Sequence, residues 1–206
     1  MDKEEAMKKT NRIIFLPVGF VIMFLAGTIY AWSIISESIS ATFPSWNAQT
    51  LSMTFTVTMM VYALGGLVSG FLIKKTGPRP IMLAAAILYP CGMVIATLAQ
   101  TPLQLYIGYG AMCGLATGLC YNSVVSTVSA WFPDRQGMVS GLLLAAYGLS
   151  SFITGKLFAA FAPADGGRAW GTGLRILALL FLAAVLTCAA LFRFPEQNEI
   201  ETGAAP

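Results

Sequence analysis

Six stretches of this chain, 13–36, 51–73, 80–99, 103–132, 137–161 and 174–194, are mostly apolar over about twenty residues or more. Few folds can accept that pattern. A helix needs roughly 20 apolar residues to cross the hydrocarbon core of a bilayer. There it satisfies its own backbone hydrogen bonds, which no isolated strand or loop can do in lipid. The breaks between the runs carry turn chemistry, at Pro44-Ser45, Gly77-Pro78, Thr101-Pro102, Pro133-Asp134 and Pro163 through Gly167. The expectation is an all-α membrane protein with six transmembrane helices lodged in a lipid bilayer. Composition agrees: 57% of the residues are hydrophobic and 10% charged, against about 25% charged in a soluble domain. The first run does not read as a signal peptide, because its leader mixes acids with lysines, its apolar stretch is too long and no small-residue cleavage site follows. Residues 1–12 are therefore expected as a tail, 13–194 as the bundle and 195–206 as a second tail.

Several kinds of chemistry drop out at once. The chain has no histidine, which removes histidine metal sites and Ser-His or Cys-His catalysis. A net charge of +3, scattered along the chain, gives no footprint for nucleic acid. Cys91, Cys113, Cys120 and Cys188 all sit in apolar runs without CxxC spacing, as small packing residues do. No metal, cofactor or enzymatic activity is expected. No Asp, Glu, Lys or Arg lies near the centre of any run; Glu37 and Lys156 fall toward the outer ends, so a proton relay through the spans is not expected.

The cations set an orientation. Lys3, Lys8, Lys9, Arg12, Lys74, Lys75, Arg79, Arg135 and Arg193 fall on one side of six alternating spans, and Lys156, Arg168 and Arg175 on the other. Cytoplasmic loops are the ones enriched in Lys and Arg. Both termini are thus expected in the cytoplasm, in the plasma (inner) membrane. The segment GFLIKKTGPRP at 70–80 becomes a tight cytoplasmic turn between the second and third spans.

The second and fifth spans echo each other. Tyr62-Ala-Leu-Gly-Gly-Leu-Val-Ser-Gly70-Phe-Leu72 and Tyr147-Gly-Leu-Ser-Ser-Phe-Ile-Thr-Gly155-Lys-Leu157 share Tyr, Leu, Gly and Leu at an offset of 85. A weaker echo pairs Gly27-Thr-Ile-Tyr30 with Gly118-Leu-Cys-Tyr121. Repeats of three spans enter the membrane from opposite sides, so the expected architecture is two inverted three-helix repeats, as in many secondary transporters. Small residues four apart (Gly66 and Gly70; Gly110, Gly114 and Gly118; Gly137 and Gly141; Ser151 and Gly155) would let helix backbones approach closely.

Within the second span, Thr54, Thr58, Tyr62, Gly65 and Ser69 make a polar or small stripe, and the fourth offers Tyr121, Asn122, Ser123, Ser126 and Thr127. Most of these suit hydrogen bonds between helices. Tyr62 and Tyr147 lie too deep for an interfacial aromatic belt. A hydroxyl buried there needs a partner or a wet cavity.

GFLIKKTGPR resembles the signature between the second and third helices of the major facilitator superfamily, with Gly70, Leu72, Lys75, Gly77 and Arg79 in place. Lys74 stands where the family has an acid, which puts that conformational gate in doubt. GTIYAWS, TFTVTMMVYALGGLVSGFLIKKTGPR and GLATGLCYNSVVSTVSAWFPDRQGMVSGLLLAAYG resemble the oxalate/formate antiporter branch of that family. The resemblance covers about half of a twelve-helix carrier. It implies alternating-access transport of a small organic anion, a small carboxylate, by one half of a secondary carrier. It implies a gate at Gly70, Lys74, Lys75, Gly77 and Arg79, and it singles out Tyr30, Tyr121 and Tyr147 as cavity residues. Trp32 and Tyr62 are further candidates. The family's cationic carboxylate ligands lie in its other half and have no counterpart here. The expected completion is a second six-helix half with a Lys or Arg in its spans, on a separate chain; a second copy of this chain would bring no such charge. The residues 194–203 resemble the start of the family's central linker. A truncated or split-gene fragment without activity, or a six-helix channel, are the alternatives. The paired Asn-Pro-Ala loops that a channel of this size would want are absent from the sequence.

Overall fold

The computed structural model describes the backbone of residues 3–161, 170–189 and 192–195, and the side chains within 13–156, 170–189 and 192–195. Six helices are long and apolar enough to cross a membrane. We number them α1 (Ile13–Thr42), α2 (Ala48–Thr76), α3 (Pro78–Thr97), α4 (Pro102–Trp131), α5 (Gln136–Phe161) and α6 (Trp170–Ala189). Among the described residues there is no strand. The tail readings for 1–12 and 196–206, the loop from Pro163 through Gly167, and Arg168 lie outside what is described in side-chain detail.

The helix ends depart from the apolar runs in instructive ways. α1 continues to Thr42, past the apolar limit at 36. Its polar end stays helical because Ser38, Ser40 and Thr42 donate to carbonyls of their own helix, at Ile34, Glu37 and Ser38. α2 starts at Ala48 because Asn47 Oδ1 accepts from Thr50 N at 2.8 Å, an N-cap. α6 is already helical at Trp170, four residues before the apolar run. Two helices are irregular: α1 passes through a 3-10 segment at Gly27–Ala31, and α4 through a π segment at Tyr106–Cys113. Neither was legible as an interruption of an apolar run.

The GFLIKKTGPRP turn is a single residue wide. Gly77 closes α2 by donating to Ile73 O and adopts φ 76°, ψ 175°, the one positive φ among the described residues. Side chains are all but excluded from that region. Pro78 then opens α3 at a position where no backbone donor is required.

The core of the bundle is built from pairs. α2 packs chiefly on α4 and α1 on α5, while α3 packs on both α4 and α6. The α2–α4 seam is backbone on backbone. A Cβ at Gly114 would lie 2.7 Å from Thr58 O, one at Gly118 2.2 Å from Tyr62 O, and one at Gly65 2.6 Å from Leu115 O. Ser69 tightens the seam with hydrogen bonds to Leu119 O and Ser123 Oγ. Thr54 and Thr58 are buried in it. The other small-residue pairs behave differently. Gly137 and Gly141 meet nothing within 4 Å, and Gly66 and Gly70 only graze α4. Their spacing put them on a common face, but that face looks outward.

Five of the seven cations with described side chains (Lys74, Lys75, Arg79, Arg135 and Arg193) gather at one end of the bundle, where α2 ends, α3 begins and α4 turns into α5. Lys156 and Arg175 sit at the opposite end, where Arg175 Nε reaches Thr97 Oγ1. All four cysteines are free, two of them fully buried in the core.

Candidate functional site

Four of the five aromatic residues singled out from the sequence meet at one place. Tyr30 of α1, Tyr62 of α2, Tyr121 of α4 and Tyr147 of α5 form a cluster with Tyr147 at its hub. Ring centroids lie 5.3 Å from Tyr147 to Tyr30, 5.1 Å to Tyr121 and 6.3 Å to Tyr62, and 5.8 Å separate Tyr62 from Tyr121. Edge-to-face and offset contacts at these distances are the favourable aromatic geometries. Each ring comes from a different helix, so the cluster sits where α1, α2, α4 and α5 converge.

Local backbone geometry sets the approach. Gly27 lies so close to α5 that a Cβ would be 2.2 Å from Tyr147 O, and Gly118 lies the same 2.2 Å from Tyr62 O. These two glycines each precede a cluster tyrosine by three residues, Tyr30 and Tyr121. One helical turn places the ring against the neighbour that its glycine lets in.

The cluster grades from exposed to buried. Tyr30 is 40% exposed and Tyr147 only 5%. The Tyr147 hydroxyl is buried without a hydrogen-bond partner among the described residues; Tyr62 stands near it without reaching hydrogen-bond geometry. A buried orphan hydroxyl costs about 1–3 kcal/mol. The Thr54, Thr127, Tyr89 and Tyr109 hydroxyls are also orphaned, but Tyr89 and Tyr109 are fully enclosed at 0% exposure. Tyr147 is distinguished by three tyrosine neighbours, one of which, Tyr30, is exposed. The group can donate O–H hydrogen bonds to a ligand and offers no positive charge.

Trp32 is apart from the cluster. It is 6% exposed and packs on Tyr109, with centroids 4.6 Å apart. Its ring is turned to Tyr109 of α4 and makes no ring contact with the four tyrosines. Tyr62 belongs to the stripe of Thr54, Thr58, Gly65 and Ser69. At about 100° per residue it lies at the edge of that stripe, about 20° from Ser69, and is half-buried where the other four are buried.

The residues of the turn motif do separate work. Gly77 forms the turn. Arg79 Nε donates to Phe192 O at 3.0 Å and ties the start of α3 to the chain beyond α6. Trp131 does the same from α4, donating from Nε1 to Arg193 O at 2.9 Å, with the Arg193 guanidinium 5.1 Å over its ring. Lys74 and Lys75 are exposed and line a groove with Gly66, Gly70 and Asn122. Sequence reasoning missed the Trp131 and Phe15 stack at this end (centroids 4.3 Å) and the buried Tyr89–Phe181 pair at 4.2 Å. An aromatic in an apolar run carries no signal of which face it will occupy.

Residues 11–205 match the family model described as Major Facilitator Superfamily. The chain is 26% identical over 174 residues to an MFS-type transporter of Escherichia coli, YhjX, covering 82% of this chain and 43% of that protein. It is 26% identical over 181 residues to monocarboxylate transporter 13 of Rattus norvegicus, 88% of this chain and 41% of the relative. To the oxalate:formate antiporter of Oxalobacter formigenes it is 24% identical over 190 residues, 91% of this chain and 44% of the antiporter. The chain thus spans less than half the length of these curated relatives. Six apolar helices and a family match over nearly the whole chain together make it an integral membrane protein that belongs to the major facilitator superfamily.

Proposed function

We propose that this chain is one six-helix half of a secondary carrier that moves a small organic anion by alternating access. The carrying observation is the tyrosine cluster at the convergence of four helices, with the Tyr147 hydroxyl buried and unpartnered. A carboxylate brought into the membrane loses hydration and needs donors in return. Tyr30, Tyr62, Tyr121 and Tyr147 supply hydroxyls, with Trp32 behind them. The relatives named for oxalate, formate and monocarboxylates support a small carboxylate as substrate. A carrier of this kind is a transporter and not an enzyme.

The inverted repeat belongs to the same proposal. Exchanging α1 with α4, α2 with α5 and α3 with α6 turns the α2–α4 pair into α5–α1 and α3–α6 into itself, and each of these is a close pair of the bundle, although the close α3–α4 pair has only a weak counterpart in α6–α1. The exchange also turns Gly118 against Tyr62 O into Gly27 against Tyr147 O. The four tyrosines are the two echo pairs, Tyr62 with Tyr147 and Tyr30 with Tyr121. A pseudo-two-fold axis in the membrane plane through the cluster accounts for all three observations.

The basic end is assigned to the cytoplasm by the positive-inside bias, with both termini there and the bundle, 13–194, in the plasma or inner membrane. The cluster faces a site that a second six-helix half completes. That half supplies the cation absent from the middle of the spans described here, and its rocking against this one provides alternating access. The lysine groove at Gly66, Gly70, Lys74 and Lys75 would face it on the cytoplasmic side.

The test is exchange of labelled oxalate, formate and related small carboxylates in liposomes. Saturable exchange is expected with this chain joined to a second half and absent with the 206-residue chain alone. Saturable exchange by the single chain would contradict the half-carrier reading.

A further inference from the structure

Adjoining the tyrosine hub at Tyr30, between the far half of α1 and the first turns of α2, lies an open cleft of about 630 Å³. Three of its five Ser and Thr hydroxyls, all but those of Ser33 and Ser52, are already used as donors. Ser36 Oγ donates to Ser33 O at 2.9 Å, Ser40 Oγ to Glu37 O at 2.7 Å, and Thr56 Oγ1 to Ser52 O at 3.1 Å. With its proton committed to its own helix, each of these hydroxyls has only acceptor capacity left for the cleft. Glu37 adds a carboxylate, exposed and without an ion pair among the described residues. No Lys or Arg lines the cleft. Glu37 lies within the α1 span, seven residues and so roughly 10 Å beyond Tyr30. Toward the outer end of the span the carboxylate can reach water, which leaves it available as the one counter-charge of the cleft.

The one charged group on the lining, Glu37, disfavours an anion and invites a cation. The choice between a metal ion and an organic cation follows from geometry. Hard metal ions take six or more converging oxygens, whereas this open cleft has one carboxylate, and the described residues contain no metal-holding cluster. An organic ammonium asks for less: one counter-charge, a few acceptors, and aromatic faces that attract a diffuse positive charge. Tyr30, Trp32 and Phe55 line the same cleft.

We propose that the cleft between α1 and α2 binds a small organic ammonium ion, with Glu37 as its counter-ion and Phe55 and Tyr30 as its aromatic wall. Such a ligand would share Tyr30 with the tyrosine hub and leave Tyr62, Tyr121 and Tyr147 free.

The experiment uses the full 206-residue chain in detergent micelles. Tryptophan fluorescence and thermal unfolding are followed during titration with tetramethylammonium chloride and methylammonium chloride, against sodium chloride at equal ionic strength. Both ammonium salts should give a saturable change that sodium does not. Glu37→Gln, a change at an exposed position, should weaken the apparent affinity about tenfold or more, the loss of one charge-assisted contact. Absence of saturation, an equal response to sodium, or equal affinity in Glu37→Gln would each overturn the proposal. The readout requires neither transport nor a second half, so failed carboxylate exchange and failed ammonium binding are separate results.

Discussion

Replacing Gly118 by alanine probes the α2–α4 seam at its tightest point. The added Cβ would sit 2.2 Å from Tyr62 O, 2.8 Å from Gly66 N and 3.0 Å from Tyr62 C. All three atoms belong to the backbone, so no side chain can swing aside. The helices must part by roughly 1 Å to restore ordinary contact. Overpacking of this kind costs about 1–3 kcal/mol, and a rigid backbone neighbour puts Gly118 at the upper end. Alanine regains about 1 kcal/mol of helix propensity over glycine, which leaves a net loss of about 2 kcal/mol. For a chain of this size that corresponds to a fall of about 4–8 °C in Tm. Thermal unfolding of the purified chain in detergent measures it directly. Gly27→Ala should behave alike, because its Cβ would meet Tyr147 O at 2.2 Å and Ser150 Cβ at 2.6 Å. Gly137→Ala and Gly141→Ala are the controls, since neither meets anything within 4 Å; they should be neutral or raise Tm slightly. If Gly118→Ala and Gly141→Ala melt together, the close seam is not what holds α2 to α4.

Other consequences are equally specific. Gly77→Ala forces a side chain into φ 76°, ψ 175° and should destabilise the α2–α3 turn by about 1–3 kcal/mol, read as a lower Tm with the six helices intact by circular dichroism. Ser69→Ala removes the hydrogen bonds to Leu119 O and Ser123 Oγ and should cost about 0.6–1.7 kcal/mol, clearly less than Gly118→Ala; a larger loss would mean the seam depends on polar contacts. With Cys91 and Cys188 replaced, a cysteine at Thr76 should resist an impermeant thiol reagent in intact cells while one at Gln49 reacts. The reverse pattern would invert the orientation.

Six spans were readable from hydropathy because the bilayer demands about twenty apolar residues whatever their order. The Gly77-Pro78 turn was readable too, since only glycine tolerates that backbone and only proline prefers the first helical position. What escaped the sequence was phase. Gly110, Gly114 and Gly118 share the four-residue spacing of Gly137 and Gly141, yet only the first set meets a neighbouring backbone. Spacing names a face and not its neighbour. The 3-10 segment at Gly27–Ala31 and the π segment at Tyr106–Cys113 left no mark, because regular and irregular turns bury the same apolar residues in lipid. Tyr89 and Tyr109, the most enclosed hydroxyls, looked no different in the sequence from Tyr121. Conversely, the weak echo of Gly27 through Tyr30 in Gly118 through Tyr121 proved more informative than its few identities suggested, since both glycines make the same contact.

The central claim is that the tyrosine hub holds the substrate carboxylate. Its most direct test is equilibrium binding of labelled oxalate or formate to this chain joined to its second half, comparing the parent with Tyr147→Phe and Tyr121→Phe. Removing one hydroxyl that donates to a charged group should cost about 1.5–3 kcal/mol, a rise in Kd of roughly 10-fold to 150-fold, with Tm unchanged or higher for Tyr147→Phe because its hydroxyl is unpartnered in the empty protein. Unchanged affinity in both variants would contradict the claim and return these rings to packing.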